Sequence, residues 1–214
     1  MKKKFSVLFL VIFFFLFQNK LVFAQIDNAI IISVGDYPIT RLDLFNEVKL
    51  IAILSNTVIN ENNKQQIKNL AVKSLIKRNI KEGEIKRRNI NKFNQNQLAS
   101  LIENASKKLG VDQKGLKEVL KRNNLSFNKL IKRFETDLKW NYMIFEIYKN
   151  KISLNTTEIE NKLQVRIENL ENLNDEKVDL IKEQIVNEEK EKKLKMFSNL
   201  HFTNIERSIQ IKFL

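Results

Sequence analysis

Ala29-Ile30-Ile31-Ile32-Ser33-Val34-Gly35-Asp36-Tyr37-Pro38-Ile39-Thr40-Arg41-Leu42-Asp43 changes character twice along its length. The β-branched run that ends in Val34 and is closed by Gly35-Asp36 predicts a short strand and a turn. Thr40, with a carboxylate three residues on at Asp43, is a loose variant of the capping box, and Leu42, Phe45, Val48 and Ala52 follow at helical spacing. A first helix is therefore expected to about Leu54. At the other end, Ser208 to Leu214 alternates Ile209, Ile211 and Phe213 with Gln210 and Lys212. An isolated strand leaves its backbone N–H and C=O groups unsatisfied, and no other strong strand signal is present. Residues 29–34 are thus expected to pair with 208–213 in a small sheet that joins the chain's ends.

Between these strands the sequence reads as helix. With four glycines and one proline in 214 residues, there are few of the turns that a sheet-rich fold needs. An Asn-rich linker near residues 56–63 precedes a second helix carrying Ile67, Leu70, Ala71 and Leu75, which ends near Gly83 or continues to Arg88, with Asn89 suited to the left-handed terminating position. A third helix holds Leu98, Leu101, Ile102, Ala105 and Leu109 and stops at Gly110. A short fourth runs from Asp112 to Asn123. The fifth, from an N-cap at Ser126 to about Asn150, places Phe127, Leu130, Ile131, Phe134, Leu138, Phe145 and Tyr148 within one stripe. Beyond Lys139 its opposite side is apolar as well, with Trp140, Met143, Ile144 and Ile147. That half must be wrapped by other elements or offer a hydrophobic surface to something else. From Asp175 to Leu200, Val178, Ile181 and Ile185, then Met196 and Leu200, flank a polar interruption at 187–193. This pattern predicts a helix about 39 Å long, at about 1.5 Å per residue, that meets the core at both ends and is solvated in the middle.

The N-terminus reads as a signal peptide. Lys2 to Lys4, a thirteen-residue apolar run from Phe5 to Phe17, and Val22-Phe23-Ala24 supply its three regions, with the cut expected after Ala24. The apolar run is short for a membrane span of about 20 residues, although an uncleaved anchor is the alternative. Removing residues 1–24 takes away four lysines and no acid, so the formal net charge falls from +13 to +9. Export separates the chain from nucleic acid, and the lysines are spread along the whole length. The charge therefore reads as compositional, with weak contact to an anionic membrane surface as the remaining use.

There is little chemistry to build on. With no cysteine and a single histidine, His201, neither a Cys/His metal cluster nor a thiol nucleophile can form. Glu188-Glu189-Lys190-Glu191-Lys192-Lys193 is a solvated charge run. Gly-rich phosphate loops, Gly-x-Ser-x-Gly elbows and His-Glu-x-x-His helices do not occur. A conventional active site, and any cofactor, is not expected.

Val34-Gly35-Asp36-Tyr37-Pro38-Ile39-Thr40, continued by Asp43-Leu44, resembles the opening of the SurA-type periplasmic chaperones. Leu75-Ile76-Lys77-Arg78 and Glu84 to Ile90 are similar to the end of that family's second helix. Leu125-Ser126-Phe127 with Leu138-Lys139-Trp140 resembles its long helix, and Thr156-Thr157-Glu158-Ile159 resembles the segment leading out of its N-terminal domain. Lys77 and Arg78 depart from the pattern by standing where acids are common, and Asn89 departs by standing where glycine is usual. The family usually carries glycine-rich parvulin-type prolyl isomerase domains of about 90 residues with paired histidines, whereas the stretch after Leu163 has no glycine and one histidine.

The resemblance implies a mainly α fold: a SurA N-terminal-like helical core over residues 25–163, with 164–214 adding a long helix and a strand that complete the same core. It implies a periplasmic, ATP-independent chaperone without the isomerase module, whose partners are unfolded or extended polypeptides, outer-membrane proteins among them. A chaperone of this kind needs a partly apolar surface, for which Phe134, Trp140, Met143, Phe145 and Tyr148 are the candidates. The alternatives are a prolyl isomerase-related protein, by family name only, and a cationic membrane-surface protein.

Overall fold

The computed structural model describes residues 28–168, 170 and 174–214. The expected signal peptide and its cleavage site lie outside them. In chain order the elements are β1 (Ile30–Val34), β2 (Tyr37–Thr40), α1 (Arg41–Leu54), α2 (Lys64–Arg87), α3 (Gln95–Lys108), α4 (Gln113–Arg122), α5 (Phe127–Tyr148), a 3-10 turn (Lys149–Lys151), α6 (Thr156–Ile167), α7 (Asp175–Ser208) and β3 (Ile211–Phe213). The fold is mainly α, with one small antiparallel sheet.

The ends of the chain do pair, with Ile32 opposite Phe213, Ser33 opposite Lys212 and Val34 opposite Ile211. Gly35 N–H donates to Gln210 O at 2.9 Å, and Leu214 N–H donates to Ile31 O at 3.0 Å. The sheet nevertheless has three strands, in the order β2-β1-β3. The expectation that β1 had no other partner is corrected by Tyr37–Thr40, which folds back on it through the two-residue turn Gly35-Asp36. Gly35 takes a positive φ of 55° there, which costs glycine nothing. Pro38 is tolerated because β2 is an edge strand, where a missing N–H breaks no ladder.

Thr40 caps α1 as expected. Its hydroxyl accepts from Asp43 N–H at 3.1 Å, and the Asp43 carboxylate accepts from Thr40 N–H at 3.1 Å. Ser126 occupies the N-cap position of α5 but makes no side-chain cap bond. The second helix does not stop at Gly83; it runs on to Arg87, and Asn89 turns left-handed at φ 53°.

Among the described residues, four clusters make up the interior. Ile32, Val34 and Ile39 of the sheet pack on Leu75 and Ile80 of α2. Leu50, Ala105, Leu116, Leu120 and Leu130 join α1, α3, α4 and the first half of α5. Ile85, Trp140, Met143 and Ile144 join the ends of α2 and α5 to Leu194, Phe197, Phe202 and Ile205 of α7. The fourth, Ile159, Leu163 and Ile185 with Val178 and Ile181, forms between α6 and the first half of α7.

The helix α7 extends eight residues beyond the expected Leu200 and spans about 51 Å at about 1.5 Å per residue. It meets the core at two places, but Met196 and Leu200 are not among the buried contacts, being 55% and 53% exposed. At about 100° per residue, Leu194, Phe197, His201 and Ile205 lie about 120–200° round the helix from Ile185, whereas Met196 and Leu200 lie within about 60° of it. The two halves of α7 thus bury opposite faces, the first against α6 and the second against α5.

Candidate functional site

The five candidate residues all lie on α5, and the structure separates them. Phe134 is half-buried against the cluster between α1, α3 and α4. Trp140 and Met143 are 1% and 0% exposed, so their place on a client-facing surface is corrected: they are interior, because α7 covers the second apolar side of α5. The Trp140 ring lies edge-on to Phe202 at 6.2 Å, and its Nε1–H donates to Ser198 Oγ at 2.8 Å, which satisfies the one polar atom of the buried indole. Tyr148 is half-buried and stacks on Phe197 with ring centroids 4.6 Å apart. Phe145 is 45% exposed, with the Lys149 ammonium 6.0 Å from its ring centre.

Sequence reasoning placed Met196 and Leu200 in the core, and they belong instead to the surface. They continue the face of α7 that α6 covers around Ile185. Tyr148 on Phe197 fixes the end of α5 against this part of α7. Phe145 comes one turn before Tyr148, and Met196 and Leu200 flank Phe197, so the end of α5 and the second half of α7 together carry three exposed apolar side chains. The signal that could have found them is the angular drift from Ile185 to Phe197, which shows that a single straight helix cannot bury both sets on one side.

Behind this surface is a buried polar junction. The Glu84 carboxylate, 3% exposed, accepts from Arg87 Nε at 2.7 Å and Nη2 at 2.8 Å, and from Arg88 Nε. His201 Nε2 lies 3.3 Å from the same carboxylate, and its Nδ1 lies 3.1 Å from the Tyr148 hydroxyl. Burial pushes the Glu84 pKa up, and the hydrogen bonds and charges of Arg87 and Arg88 more than reverse this, leaving it lowered to about 2. The junction ties α2, α5 and α7 together.

The first half of α7 pairs with α6 as a two-helix arm. Ion pairs run along its sides, with Lys162 on Glu158 and Glu189, Arg166 on Glu188 and Lys182 on Glu160. Leu180 and Val165 of the arm are exposed. Among the described residues no group of His, Cys, Asp and Glu could hold a metal ion, and no helix is long and apolar enough to cross a membrane.

No family model matches the chain, and no curated protein matches it. Among solved structures it is similar to one reported with the virulence factor PEB4 and the periplasmic protein Cj1289, two structurally related SurA-like chaperones of Campylobacter jejuni. The identity is 17% and the TM-score 0.43, over 87% of this chain and 99% of that one.

Proposed function

We propose that this protein is a periplasmic chaperone that holds unfolded, outer-membrane-type polypeptides without ATP. The observation that carries the proposal is the uncovered stripe on α7. Met196 and Leu200, one turn apart, present to solvent a face that is buried earlier along the same helix, and Phe145 near the end of α5 is exposed as well. Two apolar side chains on the same exposed face form a stripe of the kind that marks interaction sites, and methionine's flexibility suits partners of varied shape. Shallow contacts of this kind keep affinity modest, so a client can leave to fold. The SurA-like opening supports the same reading, since its residues form a strand, a turn and a capped helix. The N-terminal segment, read as a signal peptide, supports export to the periplasm, and an N-terminus of Gln25 on the mature protein is the expected result of sequencing it.

The test is light scattering of an unfolded outer-membrane-type client without ATP. Suppression of aggregation by the protein is expected, with a several-fold weaker effect for Met196→Ser/Leu200→Ser at unchanged circular dichroism. No effect on aggregation at several-fold molar excess would refute the proposal. Turnover of a proline tetrapeptide would favour the isomerase reading instead; none is expected, because the described residues after Leu163 are taken up by the end of α6, by α7 and by β3.

A further inference from the structure

Ser74, Lys77, Arg78 and Lys81 of α2 face Arg133 and Asp137 of α5 across a cleft of about 210 Å³. Beneath it Glu47 of α1, 3% exposed, uses both carboxylate oxygens: Oε1 accepts from Ser74 Oγ at 2.7 Å and Arg133 Nη1 at 2.9 Å, and Oε2 accepts from Arg78 Nη2. One carboxylate thus serves two guanidiniums, each giving it a single nitrogen. Lys81 is matched by Asp137. Among the described residues Lys77 has no carboxylate in ion-pair range, and its ammonium lies 5.6 Å from the centre of the Phe202 ring. Four cations around two carboxylates leave the cleft doubly positive. The N–H groups of Arg78 and Arg133 that Glu47 does not use, with the Lys77 ammonium, form a set of donors suited to a second carboxylate.

We infer that this cleft is an anion site that takes one Asp or Glu side chain of a bound client, a specificity element that rests on the chaperone reading. The volume is below the roughly 300–1,000 Å³ of small-molecule sites, which leaves room for one acidic side chain and not for a nucleotide. The recess between two helices favours a carboxylate reaching in from an extended chain over a flat lipid surface, and in a mature protein of net charge +9, four lysines below the +13 of the full chain, acidic partners are also favoured on approach. Basic residues occur all along this chain, but here two guanidiniums are fixed by a buried acid, which pre-orients them.

The inference is tested by fluorescence anisotropy at low salt with two labelled, extended, aromatic-rich peptides that differ in one residue, Glu or Gln. The Glu peptide should bind about tenfold more tightly, the scale of a charged hydrogen-bonded contact. Lys77→Gln should bring the two peptides to the same affinity, and Lys77→Arg should restore the difference. Lys77 has no carboxylate partner, so its variants are expected to fold, as circular dichroism will check. Equal binding of the two peptides to the unaltered protein overturns the inference and leaves the chaperone reading standing, whereas binding of neither overturns both. A difference that survives Lys77→Gln overturns the location. Loss of the Glu/Gln difference on adding phosphatidylglycerol vesicles, but not phosphatidylcholine vesicles, assigns the cleft to a lipid surface and overturns the client.

Discussion

Glu84 stays charged in the interior because two guanidiniums are bound to it, and this makes it an acid-sensitive support. Its pKa is lowered to about 2 in the folded chain from an ordinary value of 4.5. The stability it contributes is therefore complete above about pH 4.5 and lost as pH falls through about 2. A falling melting temperature over that window is expected, and Glu84→Gln should flatten the dependence. Since solvent reaches Arg87 and Arg88, the contribution is less than the shift alone implies, about 1–2 kcal/mol. Trp140 is the other residue with a large expected effect. Trp140→Ala empties a fully buried site and frees Ser198, and should cost about 3–5 kcal/mol in chemical denaturation. A loss below about 1 kcal/mol would contradict the burial described. Spacing alone could show that α5 is apolar on both sides, but it could not say what covers the second side. That information lies in α7, more than fifty residues further on.

At the scale of elements, a chain poor in glycine closes its helices with asparagine. Asn56, Asn89 and Asn124 have φ of 50°, 53° and 57°, and Gly110 does the same work at 66°. Each closure repeats one hydrogen bond, Thr57 N–H to Ala52 O, Ile90 to Ile85, Val111 to Ser106 and Leu125 to Leu120, at 2.9 to 3.1 Å. Asn89→Ala should therefore cost about 1–2 kcal/mol, and Asn89→Gly little or nothing, as thermal melts will show. Deleting 211–214 removes β3 and uncovers Ile32 and Val34, so a lower melting temperature is expected there too. The helices α1 to α5 were legible in the sequence because their apolar spacing is clear, with a capped start for α1 and left-handed residues just beyond α1 to α4. β2 was hidden by its length and by Pro38. The helix α6 carries a good cap, Asn155 accepting from Glu158 N–H, but its few apolar positions gain meaning only opposite Ile185.

For the whole molecule, the decisive feature is how the arm is joined to the body. The client-facing proposal needs Met196, Leu200 and Phe145 to be accessible while the fold stays intact, which the serine variants in the aggregation assay address directly. Because α7 buries opposite faces in its two halves, rolling the helix about its axis would withdraw Phe197 from Tyr148 and Ile185 from α6 at once. Neither contact can be released by rotation alone. Within α7, residues 190–193 lie between the two buried faces and, among the described residues, reach no other element in an ion pair, Lys192 pairing only with Glu189 of the same helix. If the arm moves, it is expected to bend at this stretch, as a lever on a flexure, rather than to turn as a swivel. Amide hydrogens at 190–193 should exchange faster than those near Ile185 or Phe202, and a client gripped at Met196 would feel the arm swing sideways across it.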